Sequence, residues 1–245
     1  MRPKITIARL QQMKRDGEKI AAAVVYDFPM ARIADRAGVD IVSVGDSVGV
    51  NIWGHASEED VTLDEMLVVC RAVHRGATHA LVSCDVPVSV RNVVDAARAL
   101  IHDGGAAMVK VDADPAAIHT IVEAGVPVWA QISGQEAGGR RQEVAELVER
   151  AHALQAAGAS LLDFRHSGPV VGPAVAKAVS IPVIGGLGGG PWLDGRVRAI
   201  ANAIGYSASA LDDEVDRYAN VSRVALDAIA SFAADVRAGR QIRGK

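Results

Sequence analysis

One local pattern recurs along the chain and limits what it can fold into: an amphipathic stretch, a glycine near its end, then a short apolar burst. It is read at 34–44, 100–110, 121–129 and 154–164, the last running Leu154-Gln-Ala-Ala-Gly158-Ala-Ser-Leu-Leu-Asp163-Phe164. Each copy reads as a helix, a glycine cap and a strand. The same scan places strands near 21–26, 40–45, 79–84, 107–111, 127–132, 160–164, 181–185 and 202–206. Helical patterns lie between them near 29–37, 63–74, 90–103, 115–124, 141–157, 170–178 and 193–200. Strands that alternate with helices make a parallel sheet, and eight of them predict a (β/α)8 TIM barrel, with an open doubly wound sheet as the alternative. Residues 5–15 are expected to form an N-terminal capping helix and 212–238 a C-terminal helical extension. The chain, 1–245, is read as a single (β/α)8 barrel domain, a length that barrels of this class reach without splitting.

Half of the residues are hydrophobic but only 4% are aromatic, so the core must be filled by Ala, Val, Ile and Leu. That suits buried parallel strands under alanine-rich helices. A net charge of −3 gives no general attraction to nucleic acid or anionic lipid, which leaves a small molecule as the expected partner. The N-terminal residues lack the apolar run of a signal peptide, and no stretch has the length of a membrane span, so a cytoplasmic location is expected. Cys70 and Cys84 form no Cys-x-x-Cys pair and read as buried thiols.

Three of the apolar bursts end in an acid: Ile41-Val-Ser-Val-Gly-Asp46-Ser47, Ala80-Leu-Val-Ser-Cys-Asp85 and Ala107-Met-Val-Lys110-Val-Asp112. On parallel neighbours these ends meet at one rim, where carboxylates repel unless a cation lies between them. Asp46, Asp85 and Asp112 are therefore candidate ligands of a divalent metal. Each has a structural alternative, as a helix N-cap or a buried salt-bridge partner, and Asp112 stands just ahead of the helix that begins near Pro115. Period-two alternation puts Lys110 on the face of Asp112, inside a strand where lysine needs a charged partner. Tyr26 closes the first strand, where it either fills the barrel mouth or offers its hydroxyl to a ligand. The loop 48–61, with His55, follows the second strand and belongs to the active face of a barrel. Gly185-Gly-Leu-Gly-Gly-Gly-Pro191 reads equally as a phosphate-binding loop and as a tight turn.

With these motifs in view the chain resembles the ketopantoate hydroxymethyltransferase family, barrels of the phosphoenolpyruvate mutase and isocitrate lyase superfamily. The resemblance is carried by Val44-Gly-Asp46-Ser47-Val-Gly49, Gly54-His55, Val61-Thr62-Leu-Asp64, Asp85-Val-Pro87, Met108-Val-Lys110 and Ile181-Pro-Val-Ile-Gly185. It implies a magnesium ion held by the acids matching Asp46 and Asp85, with Asp112 nearby. Ser47 and Lys110 would then hold the polar end of a 2-oxo acid. The implied reaction runs through a metal-bound enolate that attacks a one-carbon unit, supplied in the family by 5,10-methylenetetrahydrofolate. A homo-oligomer, decameric in the family, is implied as well.

The sequence departs from the family where a base is needed. The family's glutamate on the sixth strand is replaced in Leu161-Leu-Asp163-Phe-Arg165-His166, where Arg165 takes its place. An arginine stays protonated and cannot accept the proton. The fifth strand reads Gln131-Ile-Ser133-Gly134, without the family's histidine, and the loop to Arg141 is shortened. Arg165 and His166 are thus candidate catalytic residues beside Lys110, with His166 a candidate replacement base. Tyr26, Ser47, Lys110, Gln131 and Arg165 are the candidate substrate contacts, Arg165 for a further anionic group. A solvent-facing Arg-His pair is the structural alternative. Three functions are expected to compete: hydroxymethyl transfer or a related aldol-type bond formation, a folate-independent carbon-carbon lyase, and a non-catalytic 2-oxo acid-binding relative.

Overall fold

The structure, a computed structural model, describes residues 2–112, 114–135 and 143–244. The chain divides into two compact units, Met1–Arg198 and Ala199–Lys245. In the first, eight parallel strands close a barrel in sequence order: β1 Ile20–Val24, β2 Ile41–Val44, β3 Leu81–Asp85, β4 Met108–Val111, β5 Val128–Ser133, β6 Leu161–Arg165, β7 Val183–Gly185 and β8 Gly195–Ala199. The expected (β/α)8 architecture is the one observed.

The local chemistry explains the helices. α1, Ile7–Asp16, starts at Thr6, whose side chain accepts from the Arg9 amide, and stops at Gly17 in the left-handed conformation. α2, Phe28–Ala37, is capped by Asp27 and carries proline in its first turn, where no amide partner is needed. α3, Leu63–Gly76, opens on a reciprocal capping box between Thr62 and Glu65. α4 (Val93–His102), α5 (Pro115–Glu123), α6 (Val144–Ala156) and α7 (Gly168–Ala178) follow strands three to six. The core is aliphatic, with Ile41, Leu81, Met108, Leu100, Ile118 and Ile121 fully buried and Trp129 its largest member. Cys70 and Cys84 are buried free thiols.

The eighth strand lies earlier than the sequence pattern placed it. Residues 195–199 form β8 rather than part of a helix, and 200–203 are helical rather than a strand, as α8, Ile200–Ala203. Arg196 and Arg198 are exposed and alternate with buried Gly195 and Val197, so this stretch has the period of two of a half-exposed strand. The second unit holds α8 and α9, Val221–Arg237, the latter starting at Asn220, whose side chain accepts from the Arg223 amide. The expected extension at 212–238 is thus helical over its later part.

Candidate active site

At the C-terminal rim of the barrel, β2 leads through Gly45 into Asp46 and Ser47. A Cβ at Gly45 would stand 2.7 Å from the Ser47 hydroxyl and 2.9 Å from Val24, so glycine is what lets the chain fold back here. Ser47 Oγ and the Tyr26 hydroxyl are 3.0 Å apart, and Asn51 Nδ2 donates to Tyr26 at 2.9 Å. Tyr26 and Ser47 are therefore brought together, with Asn51 as a partner that the sequence reading missed. Burial raises the Tyr26 hydroxyl above its usual range, against the effect of these hydrogen bonds.

Deeper in the barrel, three ionisable groups from β3, β4 and β6 meet. Lys110 Nζ lies 3.0 Å from Asp85 Oδ2 and 3.8 Å from Asp163 Oδ2, and its ammonium stands 5.7 Å from the centre of the Trp129 ring. The register that pairs Asp85 with Lys110 and Lys110 with Trp129 produces the cluster. Burial works against the charge on Lys110, but Asp85 and then Asp163 outweigh it and hold the ammonium above the ordinary lysine range. Asp85, 6% exposed, is pushed up to about 7 by burial, opposed by Lys110 and assisted by the charge of Asp46. Oδ1 of Asp85 and Oδ1 of Asp163 are buried without a hydrogen-bond partner.

Asp163 was not singled out in the sequence, although its position gave the signal: it lies two residues before Arg165 and shares its face of β6. Arg165 Nε is 3.5 Å from Asp163 Oδ2, and Arg165 Nη2 donates to Gln131 Oε1 at 2.8 Å. The guanidinium is thus oriented by two groups and remains about one-third exposed. Next to it, His166 adopts φ 52, the one positive φ among the described non-glycine residues. Its Nδ1 is 3.3 Å from Ser133 Oγ, which also accepts from the Gln135 amide at 3.2 Å. Ser133 can serve His166 as donor or as acceptor, since its hydroxyl oxygen carries two lone pairs, and the contact fixes the orientation of the imidazole ring.

Asp112 does not join this group. β4 ends at Val111, so the alternation that would have carried Asp112 to the face of Lys110 stops one residue short. Its side chain is 67% exposed and lies 3.9 Å from Arg150. Asp114, not Asp112, caps α5, accepting from the Ala117 amide. The loop 185–191 closes on itself by turns, with the Gly189 amide donating to Gly186 at 2.8 Å. The shortened loop after Gln135 lies outside the described residues over 136–142.

The donor set fits a divalent cation in a restricted way. Among the described residues no three His, Cys, Asp or Glu side chains gather as a complete ligand cage. Magnesium does not need one, since it keeps several waters and is bound through one or two carboxylates plus substrate oxygens. Asp85 has an unpartnered buried oxygen, and Asp46 lies close enough for its charge to raise Asp85. These two are the residues that would hold such an ion.

The sequence pattern of the ketopantoate hydroxymethyltransferase family matches residues 4–241. The 3-methyl-2-oxobutanoate hydroxymethyltransferase of Geobacter sulfurreducens is 35% identical over 253 residues, covering 96% of this chain and 94% of that protein. Its counterpart in Shouchella clausii is 34% identical over 251 residues, covering 95% and 90%. Among solved structures, phosphoenolpyruvate phosphomutase from Streptomyces platensis subsp. rosaceus superposes with a TM-score of 0.64 at 17% identity, covering 96% of this chain and 88% of that one. A phosphonopyruvate hydrolase in complex with oxalate and magnesium gives 0.65 at 16% identity, with the same coverage. 2,3-Dimethylmalate lyase, a member of the PEP mutase/isocitrate lyase superfamily, gives 0.62 at 16%, again covering 96% and 88%. The structural likenesses show a shared fold. The match along the sequence shows more: the chain belongs to the ketopantoate hydroxymethyltransferase family of enzymes.

Proposed function

We propose that this protein is a magnesium-dependent enzyme that removes a proton beside the carbonyl of a 2-oxo acid and joins the resulting enolate to a one-carbon unit. The observation that carries this reading is the buried Asp85–Lys110 pair at the C-terminal ends of β3 and β4, with one oxygen of Asp85 still unpartnered. Asp85 and Asp46 would hold the cation. When bound, a divalent cation supplies a Lewis acid to the keto and carboxylate oxygens and so acidifies the adjacent C–H.

The chain's own residues do the rest. Lys110, held protonated by Asp85 and Asp163, presents a fixed positive charge to the substrate carboxylate. Ser47, oriented by Tyr26, offers a hydroxyl to the same polar end. Gln131 and Asp163 fix Arg165, whose exposed part is suited to a second anionic group. That last feature favours a second reading, a folate-independent lyase of a more anionic 2-oxo acid, because arginine stands where the family has a proton acceptor.

The test is to incubate the protein with magnesium and 2-oxoisovalerate in deuterated water and follow the C3 proton by NMR, with and without methylenetetrahydrofolate. Loss of the C3 signal, and a hydroxymethylated product when the folate is present, is the expected result. A C3 proton that persists under both conditions would count against this chemistry.

A further inference from the structure

His166 is held in a conformation that its surroundings impose. At φ 52 it lies in the left-handed region, which a residue with a Cβ enters at a cost and keeps only where neighbouring structure fixes it. Strands on both sides do so here. The His166 amide donates to the Leu187 carbonyl at 2.6 Å, in the loop after β7, and the Arg165 carbonyl just before it accepts from the Gly134 amide at 2.8 Å, past the end of β5. Glycine makes room on each side. A Cβ at Gly134 would run into the His166 carbonyl, and one at Gly188 would stand 3.1 Å from the His166 Cα and 3.6 Å from its ring carbon Cδ2. Strain maintained in this way is characteristic of functional sites.

Ser133 shows where the ring is aimed. Trp129, Gln131 and Ser133 alternate along β5 and so share one face. That face is the inner one, because Trp129 lies by the Lys110 ammonium and Gln131 accepts from Arg165. The register sets Gln131 across from Asp163 and Ser133 across from Arg165, which makes two layers of side chains. Lys110 meets Asp163 in the lower layer. The imidazole, with Nδ1 3.3 Å from Ser133 Oγ, stands at the upper one, two strand residues or about 7 Å farther out. Extended backbone would point residue 166 away from the face of Arg165. The left-handed turn instead lets two consecutive side chains reach the inner side, and His166 is exposed to solvent there. A 2-oxo acid whose carboxylate rests on Lys110 and whose carbon chain points outward brings the carbon beside its carbonyl toward this ring.

We infer that His166 is the general base of this enzyme, a role that rests on the proposed 2-oxo acid chemistry. In the active form Ser133 accepts from Nδ1–H and Nε2 carries the lone pair. Nε2 takes the proton from the carbon next to the carbonyl. The C–H bond breaks, its electron pair moves into the enolate, and the proton ends on the imidazole, from which it is exchanged with solvent or returned. Ser133 suits both states of the ring, since Nδ1 stays a donor when Nε2 is protonated and a hydroxyl oxygen can accept from it alongside the Gln135 amide. Imidazole is the side chain most used for such transfers near neutral pH.

The experiment compares C3 deuterium exchange of 2-oxoisovalerate, with magnesium, in wild type, His166→Asn and His166→Gly. Asn and Gly both adopt the left-handed backbone readily, so the turn is kept while the base is removed. Each variant is expected to slow exchange by about a hundredfold or more and to bind oxalate with magnesium as wild type does in calorimetry. Added imidazole is expected to restore exchange partly in His166→Gly, which a purely structural role would not allow. If wild type exchanges and both variants exchange equally fast, the role of His166 is overturned and the 2-oxo acid chemistry stands. Loss of oxalate binding along with exchange would overturn it in favour of a binding role. A wild type that does not exchange overturns both readings together.

Discussion

Asp85 sits where its charge is least welcome, and that has a consequence that can be measured in the metal-free protein. Burial lifts it from 3.8 to about 7, so over that interval the native state holds a proton that the unfolded chain has already released. Its contribution to stability is full below about pH 4 and lost as pH rises through about 7. Urea unfolding in EDTA should therefore give a lower midpoint at pH 8 than at pH 5, and Asp85→Asn should flatten that difference. An equal pH dependence in the variant would show that other groups are responsible. Lys110 explains why the acid is tolerated at all: a lone buried charge costs several kcal/mol, and the ammonium at 3.0 Å offsets part of this. The same lysine serves Asp163, so two carboxylates share one ammonium and each keeps one oxygen unpartnered.

At the scale of elements, the site depends on the register of adjoining strands. Trp129, fully buried on β5, lies beneath Lys110 and fills the barrel where smaller aliphatic residues surround it. Trp129→Ala is expected to cost roughly 3–5 kcal/mol, measured by chemical denaturation, and to weaken ligand binding by releasing Lys110. A loss below about 1 kcal/mol would mean that the barrel interior repacks freely. The strands that lead to Asp46, Asp85 and Lys110 were legible in the sequence because they are largely apolar runs followed by glycine or acid. The eighth was not, because its outward arginines at 196 and 198 broke the apolar run and imitated a helix. Asp112 was misplaced for a related reason, since period two holds only while the strand lasts and β4 ends at Val111. Asp163 went unnoticed because it lies inside the apolar run of β6 rather than at its end, where its alternation with Arg165 was the one sign that it shares the face of that residue.

For the whole molecule, the order of elements does most of the work. Eight strands in sequence order bring the ends of β1, β2, β3, β4 and β6 to one rim, so that Tyr26, Asp46, Asp85, Lys110 and Arg165 face one mouth although up to 139 positions separate them in the chain (165 − 26). No described helix is long and apolar enough to cross a membrane. On the proposed reading, Asp85 and Asp46 at this mouth would hold a divalent cation, and Lys110 would face the oxygens of a 2-oxo acid beside it. Oxalate reproduces those oxygens, and titration calorimetry of oxalate into the protein with and without magnesium tests the claim most directly. Wild type should bind oxalate only when magnesium is present, and Asp85→Asn, shown to be folded by circular dichroism, should lose at least about a hundredfold in affinity. Binding that ignores magnesium, or that survives the loss of the Asp85 charge unchanged, would contradict the account.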